Sequence, residues 1–571
     1  MKAEVTLLIA AIVVLSVPRG TLTSQTGAAP SPVRFDEVAL RAGLDFVHIN
    51  GASQDRYLPE IMGSGGLFFD SDNDGWLDVF LVDGGSFADA GIRSRARHRL
   101  YRNRGNGTFE DVTARSGLGH PQYGMGTCAG DYDNDGYTDL YITNVGPNTL
   151  YHNNGGASFS DVTRAANVGS STFGVSCAFA DFDRDGFLDL FVTNYVDARP
   201  GNNTFCGDAA PAFRIYCHPL NFRPLTSVLY HNNGNGTFTD ISRKAGIAQH
   251  RGNGLGVVVG DYDDDGWPDI FVANDNTPNF LYHNEGGGVF KEVALPAGVA
   301  VASDGRSRAG MGIDLGDYDG DGRLDLFVTN HEFETHTLFR NLGKGLFAEI
   351  TTESGLGIET LPFVGFGTQF FDDDNDGRLD LAIVNGHVIN SPEHFRAGSK
   401  AAQRKLLFRN EGGGRFKEVG RTSGPGFAVE AVGRTLAVGD IDNDGALDIL
   451  VTNNGGRVEL LRNGGGSGNN AVLLHLVGTK SHRSAVGARV RLTSSGVTQV
   501  REIKAGSSYL GQSDLRVHFG VGRATRIDRT EIRWPAGETE VVQNVAVNEI
   551  LTITEGKGIT ARAPLTGAPG H

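Results

Sequence analysis

A nine-residue frame, D-x-D-x-D-G-x-x-D, occurs seven times in the chain, and no copy lacks a position. Its carboxylates are Asp70, Asp72, Asp74 and Asp78 in loop 1, Asp131, Asp133, Asp135 and Asp139 in loop 2, and Asp181, Asp183, Asp185 and Asp189 in loop 3. Loop 4 has Asp261, Asp263, Asp265 and Asp269; loop 5 has Asp317, Asp319, Asp321 and Asp325. Loop 6 has Asp372, Asp374, Asp376 and Asp380, and loop 7 has Asp440, Asp442, Asp444 and Asp448. Two carboxylates about 4 Å apart repel by roughly 4 kcal/mol at an effective dielectric of 20. Four in nine residues, turned back by a glycine that accepts φ > 0, therefore form a cage for a hard cation. Positions one, three, five and nine, a backbone carbonyl near seven and a water supply the six or seven oxygens that Ca²⁺ prefers. Mg²⁺ keeps its waters and wants a tighter octahedron. One such loop is equally an acidic turn, but seven intact copies predict up to seven Ca²⁺.

The loop begins like an EF-hand and continues differently. Position twelve is apolar, Leu81 in loop 1 and Ile142 in loop 2, where an EF-hand needs a bidentate Glu between two helices. A short apolar strand follows each loop, as at 140–144, 190–194 and 270–274, and a glycine-rich strand precedes it, as at 254–260. A third strand reads L-Y/F-x-N (150–153, 229–232, 281–284), a glycine turn follows, and a fourth reads F-x-D/E-V/I (109–112, 238–241). Four antiparallel strands per repeat predict an all-β chain with a seven-bladed β-propeller over 35–463. Loop-to-loop spacings of 61, 50, 80, 56, 55 and 68 residues place the excess in insertions on one rim, the longest from Tyr195 to about Ser227. The seventh repeat runs from its third strand (460–463) into glycines and has no fourth strand. Residues 35–38, F-D-E-V, have no third strand before them and are expected to close that last blade.

These repeats resemble the FG-GAP/VCBS repeats, whose blades are similar to those of the integrin α head. The lead-in segments 42–46 (AGLDF) and 58–63 (LPEIMG), with 478–483 (GTKSHR), 519–522 (FGVG) and 533–537 (RWPAG), resemble the ASPIC/UnbV family. The resemblance implies integrin-α-like calcium hairpin loops and a C-terminal ASPIC/UnbV domain at 469–555. Strand-like runs there, separated by Gly, Ser and Pro, read as a small β-sandwich, with a loose tail at 556–571. No EGF-like cysteine cluster follows that domain, unlike the longer animal architecture.

The formal charge is −16, and seven divalent cations would cancel nearly all of it. The acidity thus belongs to the loops and not to a disordered tail, and no basic face offers a nucleic-acid site. Residues 1–28 read as an export signal, with Lys2 before an apolar run at 5–17 too short for a confident span. An uncleaved anchor stays open; otherwise a secreted, periplasmic or cell-surface protein without a membrane span is expected. Export permits disulfides, and Cys206 with Cys217 could staple the longest insertion. Cys128 and Cys177, three and four residues before their loops on strands that alternate faces, read as separate buried thiols.

No catalytic motif stands at a workable spacing. One cluster follows the second strands: Asp275, His331, Glu332, His336 and His387, which could converge on the rim opposite the loops or merely cap turns. The expected function is a calcium-binding adhesion or binding module for an extracellular protein or glycan. The alternative is a propeller-scaffold hydrolase or lyase acting on polysaccharide or phosphoester substrates. Asp133→Ala should loosen one blade in a thermal melt, whereas Asn134→Ala, outside the ligand set, should do little.

Overall fold

The computed structural model describes residues 33–93, 95–118, 122–208 and 213–566, so the expected export signal lies outside the described residues. Each repeat folds as an antiparallel four-stranded sheet, and there are seven of them. In sheet 1 the strands are Gly66–Phe69, Asp78–Leu81, Arg99–Asn103 and Phe109–Asp111, in that order across the sheet. In sheet 2 they are Gly124–Gly130, Asp139–Asn144, Thr149–Asn153 and Phe159–Asp161. The first two strands are buried throughout, because their apolar side chains are covered on both faces. The fourth strands, short and partly exposed, form the outer edges. Sheet 7 takes its outer strand from the start of the chain: Phe35–Glu37 pairs antiparallel with Glu459–Asn463, Phe35 opposite Asn463.

The first strands adjoin one another in sequence order, and that of sheet 7, Gly433–Gly439, adjoins that of sheet 1. Consecutive sheets stack face to face. One face of sheet 2, with Ala129, Leu140 and Tyr151, packs on sheet 1; the other, with Cys128, Tyr141 and Leu150, packs on sheet 3. Here the expectation of separate thiols fails: Cys128 and Cys177 form a disulfide, Cα–Cα 5.8 Å. Opposite strand parity, which would hold a pair of residues apart within one sheet, brings facing residues of stacked neighbours together. Cys206 and Cys217 form the second disulfide, within the long insertion. Close stacking also explains the small residues of the first strands: a Cβ on Gly126 would strike the carbonyl of Val175, and one on Gly312 that of Phe366.

The C-terminal segment folds as two four-stranded sheets sharing one core that includes Val472, Val490, Phe519, Ile532 and Trp534. In one of them Asn470–Val477 pairs parallel with Glu549–Thr554. The tail is not loose as far as it is described: Gly558–Pro564 forms an edge strand on Glu549–Thr554, and the Thr566 amide donates to Asn443. Gly556 and Gly558, both at positive φ, turn the chain back into that strand. A composition rich in Gly, Ala and Pro hid the pairing.

This module is not a bead on a string. Its segment 505–512 lies among the first strands of the ring, where Tyr509 and Leu510 are fully buried. The Thr127 amide donates to the Leu510 carbonyl (3.1 Å), Phe179 to Ala505 (2.9 Å), and Ile313 to Ser508 (3.0 Å). The Thr368 amide donates to Ser508 Oγ (3.0 Å), and Thr435 Oγ1 to the Tyr509 carbonyl (2.8 Å). Beyond the segment lies residue 62: the Tyr509 hydroxyl donates to the Met62 carbonyl (3.0 Å), and Arg434 holds the Ile61 carbonyl with Nη2 (2.6 Å). Strand ends that converge on an axis must otherwise leave a hole, and this plug fills it with hydrogen-bonded, apolar structure. Tyr509→Ala is expected to lower stability by about 3–5 kcal/mol in denaturant titrations, as for other fully buried aromatics.

Candidate metal centres

In each loop the backbone N–H groups fix the first carboxylate. In loop 2 Asp131 Oδ1 accepts from the Asp135 amide (3.1 Å) and Oδ2 from the Gly136 amide (2.9 Å). Asp135 Oδ1 accepts from the Tyr137 amide (2.8 Å). Position nine, Asp139, begins the second strand, is fully buried, and accepts from the amides of Asn153 (2.8 Å) and Tyr132 (3.1 Å). Carboxylate oxygens of Asp70, Asp72 and Asp78, and of Asp131, Asp133 and Asp139, all come within 4.8 Å of one another.

Several of these oxygens have nothing to accept from. Oδ1 of Asp72, Asp183, Asp263, Asp317 and Asp442 is buried with no hydrogen-bond partner. Buried acceptors are normally satisfied, and a divalent cation satisfies several at once. The donor set, all carboxylate with N–H groups already spent on fixing it, suits Ca²⁺. Electrostatics agree. Burial, only partly offset by amide donors and reinforced by neighbouring aspartates, pushes Asp139 and Asp325 up to about 9. The same balance takes Asp78 and Asp131 to about 7.

Two further residues of each repeat belong to this centre, and the nine-residue frame includes neither. The asparagine ending the third strand donates its amide to the position-nine carboxylate in all seven repeats, from Asn103 to Asp78 (2.7 Å) round to Asn463 to Asp448 (2.7 Å). Its side chain reaches the preceding loop: Asn153 Nδ2 donates to the Ser71 carbonyl (2.9 Å), Asn284 to Phe182 (2.9 Å), and Asn103 to Ile441 (2.8 Å), which closes the circle. Its invariance within the L-Y/F-x-N pattern was the available signal, missed because the pattern reads first as a strand. The residue before it lies over the carboxylates and is histidine in three repeats, arginine in four. His152 Nδ1 is 3.3 Å from both Asp133 and Asp139. His231 and His283 lie similarly over loops 3 and 4, at 3.1 and 3.2 Å from Asp189 and Asp269. Arg102 pairs with Asp72 (2.5 Å) and Asp74 (2.8 Å), and Arg340 with Asp319 (2.7 Å). Arg409 pairs with Asp374 (3.5 Å), and Arg462 with Asp442.

Position four also corrects an expectation. Asn134 lies at φ 61°, donates to the Gly186 carbonyl of the next loop (2.9 Å), and accepts from the Arg483 amide of the C-terminal module (2.9 Å). Asn73, Asn375 and Asn443 make the same bond to Gly136, Gly445 and Gly75. The position is no ligand, but it is a bridge in the left-handed region, so Asn134→Ala loses two bonds and strains the turn. The module sits on this loop face with basic side chains: Arg533 pairs with Asp264 (2.9 Å) and with Asp261, and Arg489 donates to the Asp261 and Gly322 carbonyls (each 2.9 Å). Arg516 does the same at the Asp440 carbonyl (2.9 Å).

At the opposite ends of the second strands the expected cluster divides. His336 is fully buried and accepts at Nδ1 from the Asn330 amide (3.0 Å), as His98 does from Asp83 (3.0 Å); it belongs to the core. His387 Nε2 lies 3.5 Å from Glu332, whose carboxylate takes Ser399 Oγ at 2.8 Å, and the His387 and His331 rings meet edge to face at 5.3 Å. Burial, helped by the His331 charge, brings His387 down to about 4. Asp275 accepts from the Tyr195 hydroxyl (2.5 Å) and is pushed up by burial, against the charges of His218 and His331.

An all-β ring of repeats that present acidic loops at one end defines a class of repeat protein. The FG-GAP-like repeat model matches at 70–142, 131–192, 224–272, 261–328, 317–383 and 397–451, the FG-GAP repeat model at 432–475, and the ASPIC and UnbV model at 478–560. The chain therefore belongs to the FG-GAP repeat proteins that carry an ASPIC/UnbV domain. It is similar to cartilage acidic protein 1 of Homo sapiens, 31% identical over 324 residues, 55% of this chain and 46% of that protein. The Mus musculus protein is 30% identical over 55% of this chain and 47% of its own length, so the match spans about half of each relative. Among solved structures, an Agrocybe aegerita lectin that recognises non-reducing terminal N-acetylglucosamine shares 16% identity over 63% of this chain and 80% of its own, with a TM-score of 0.36.

On this loop geometry Asn134→Ala should cost about 1–3 kcal/mol, read as a lowered melting temperature. Without cation, carboxyls at positions one and nine, such as Asp131, Asp78 and Asp139, have folded pKa values above the ordinary 3.8, so folding takes up protons and stability falls as pH rises from about 4 towards 7–9. Chelated protein should thus melt at a higher temperature at pH 5.5 than at pH 8.5.

Proposed function

We propose that this chain is an exported calcium-loaded seven-bladed propeller, capped on its loop face by a β-sandwich, that binds a protein or glycan through its opposite rim. Ca²⁺ supplies positive charge that lets the four carboxylates of each loop stay ionised and close together. The chain itself aims them, through the loop amides and the third-strand asparagines. Export accords with two disulfides, and no helix among the described residues is long and apolar enough to cross a membrane.

The observation that carries the binding role is the placing of exposed aromatic surface. The exposed phenylalanines among the described residues, Phe205 (49%), Phe333 (50%) and Phe395 (55%), all follow second strands, on the insertion rim. Arg396 lies over the Phe333 ring at 3.7 Å and Arg214 over Phe205 at 5.6 Å. Aromatic and arginine side chains of this kind are what protein and glycan contacts use. The loop face, by contrast, is taken by the module. The second reading, a hydrolase or lyase, is favoured by one observation: His331, His387, Glu332 and Asp275 gather on that same rim.

A glycan array and an extracellular-protein screen, run in Ca²⁺, test both readings. A partner held by the native protein and lost by Phe333→Ser with Phe395→Ser supports the binder. Turnover of a polysaccharide or phosphoester that disappears in His331→Ala with His387→Ala would overturn it in favour of the enzyme. Removal of calcium is expected to lower the melting temperature by more than about ten degrees, as loss of ligands that bind only the folded state should. An unchanged melt would reject the structural role of the metal.

A further inference from the structure

We infer that the third-strand residue over each loop sorts the seven calcium sites into two classes, three tight sites in loops 2, 3 and 4 and four weaker ones in loops 1, 5, 6 and 7. The inference rests on the calcium reading above and adds a rank order to it.

The two kinds of side chain offer a cation different things. A guanidinium is always charged and has donors only, whereas an imidazole has a nitrogen lone pair and no obligatory charge. Arg102 spends its Nε on Asp72 at 2.5 Å and its Nη2 on Asp74 at 2.8 Å, so positions three and five of loop 1 already hold an internal cation. Arg340 holds Asp319 at 2.7 Å in loop 5, and Arg462 holds Asp442 in loop 7. A metal entering these loops must share carboxylates with a charge of its own sign. Loop 5 carries a second such charge at position seven, where Arg323 pairs with Asp321, and loop 6 has Arg378 on Asp376. In loop 6 the clamp is looser, because Arg409 divides itself between Asp374 (3.5 Å) and the extra carboxylate Asp373 (2.9 Å).

Loops 2, 3 and 4 have no arginine from the third strand. In loop 4 a guanidinium does reach the frame, but it is Arg533 of the C-terminal module on Asp261 at position one, and positions three and five are left to His283. In all three loops a ring nitrogen joins the cluster: His152 with Asp133 and Asp135, His231 with Asp183 and Asp185, His283 with Asp263 and Asp265, each within ligand spacing. A buried oxygen with no partner remains in both classes, on Asp183 and Asp263 beneath the ring and on Asp72, Asp317 and Asp442. It marks a candidate cation site without setting its rank; Asp72 and Asp442 differ in also holding an arginine. Calcium affinity follows the charge count and rigidity of the ligand set, so three consecutive repeats form the tight arc of the ring.

The test is calcium titration of the chelator-stripped full chain by calorimetry, with equilibrium dialysis for the total. The native chain should fill three sites before four, with dissociation constants separated by about tenfold or more. His231→Arg should give two tight and five weak sites, and Arg102→His four and three. His231→Gln, which removes the nitrogen without adding a charge, should keep its loop in the tight class. Circular dichroism and the melt in saturating Ca²⁺ verify that each variant is folded, and the two reciprocal substitutions give two independent chances to see the count move. Seven equal sites, or a division that neither substitution moves, would overturn the inference and leave the calcium reading standing. Failure to bind calcium at all would overturn both.

Discussion

Like charges gathered at one end of a ring set the terms for everything else in this molecule. Seven loops each bring four carboxylates together, and burial raises the affinity for protons of those at position nine, such as Asp139 and Asp325, instead of relieving the repulsion. The chain answers with three layers of positive or polar structure. Amides within the loop fix position one, third-strand asparagines fix position nine, and basic side chains approach from the third strands and from the C-terminal module. Oxygens left over after all three, such as Asp183 Oδ1, are where a divalent cation would complete the arrangement.

The same contacts make the ring a unit. Each third-strand asparagine joins its own loop to the one before, so a change in one loop reaches its neighbour through hydrogen bonds and not only through packing. The terminal strand pairing closes the sheet edges, which would otherwise be sites for aggregation. Inside, the 505–512 segment ties the first strands of several sheets to a domain more than four hundred residues from the first repeat. Propeller repeats and module therefore share one folding fate. The loop face is committed to this internal contact, and the opposite rim with its insertions carries the exposed Phe205, Phe333 and Phe395.

Much of this was legible because period and spacing are local. The strand pattern around Asp131, the missing fourth strand after Asn463 and the F-D-E-V segment at residue 35 are all visible without coordinates. What failed was whatever depends on how sheets face each other. Cys128 and Cys177 looked incompatible because parity was judged within one sheet, while the disulfide spans two stacked ones. Asn134 looked inert because its partner, the Gly186 carbonyl, lies in the next repeat. The plug left no trace in composition: Ser508, Tyr509 and Leu510 form an ordinary loop sequence until they lie in the ring. The rim cluster fared in between, since residues after like strands do share an end, but His336 turned inwards to cap a strand as His98 does.

The central claim is that neutralised acidic loops hold a ring, and that the ring in turn holds the plug. Hydrogen exchange measured by mass spectrometry, with calcium and then with chelator, tests it directly. The account predicts that chelation exposes the amides of the third-strand asparagines and those of 505–512 together, although no residue of 505–512 belongs to a loop. Full protection of 505–512 while the loops exchange freely would contradict it.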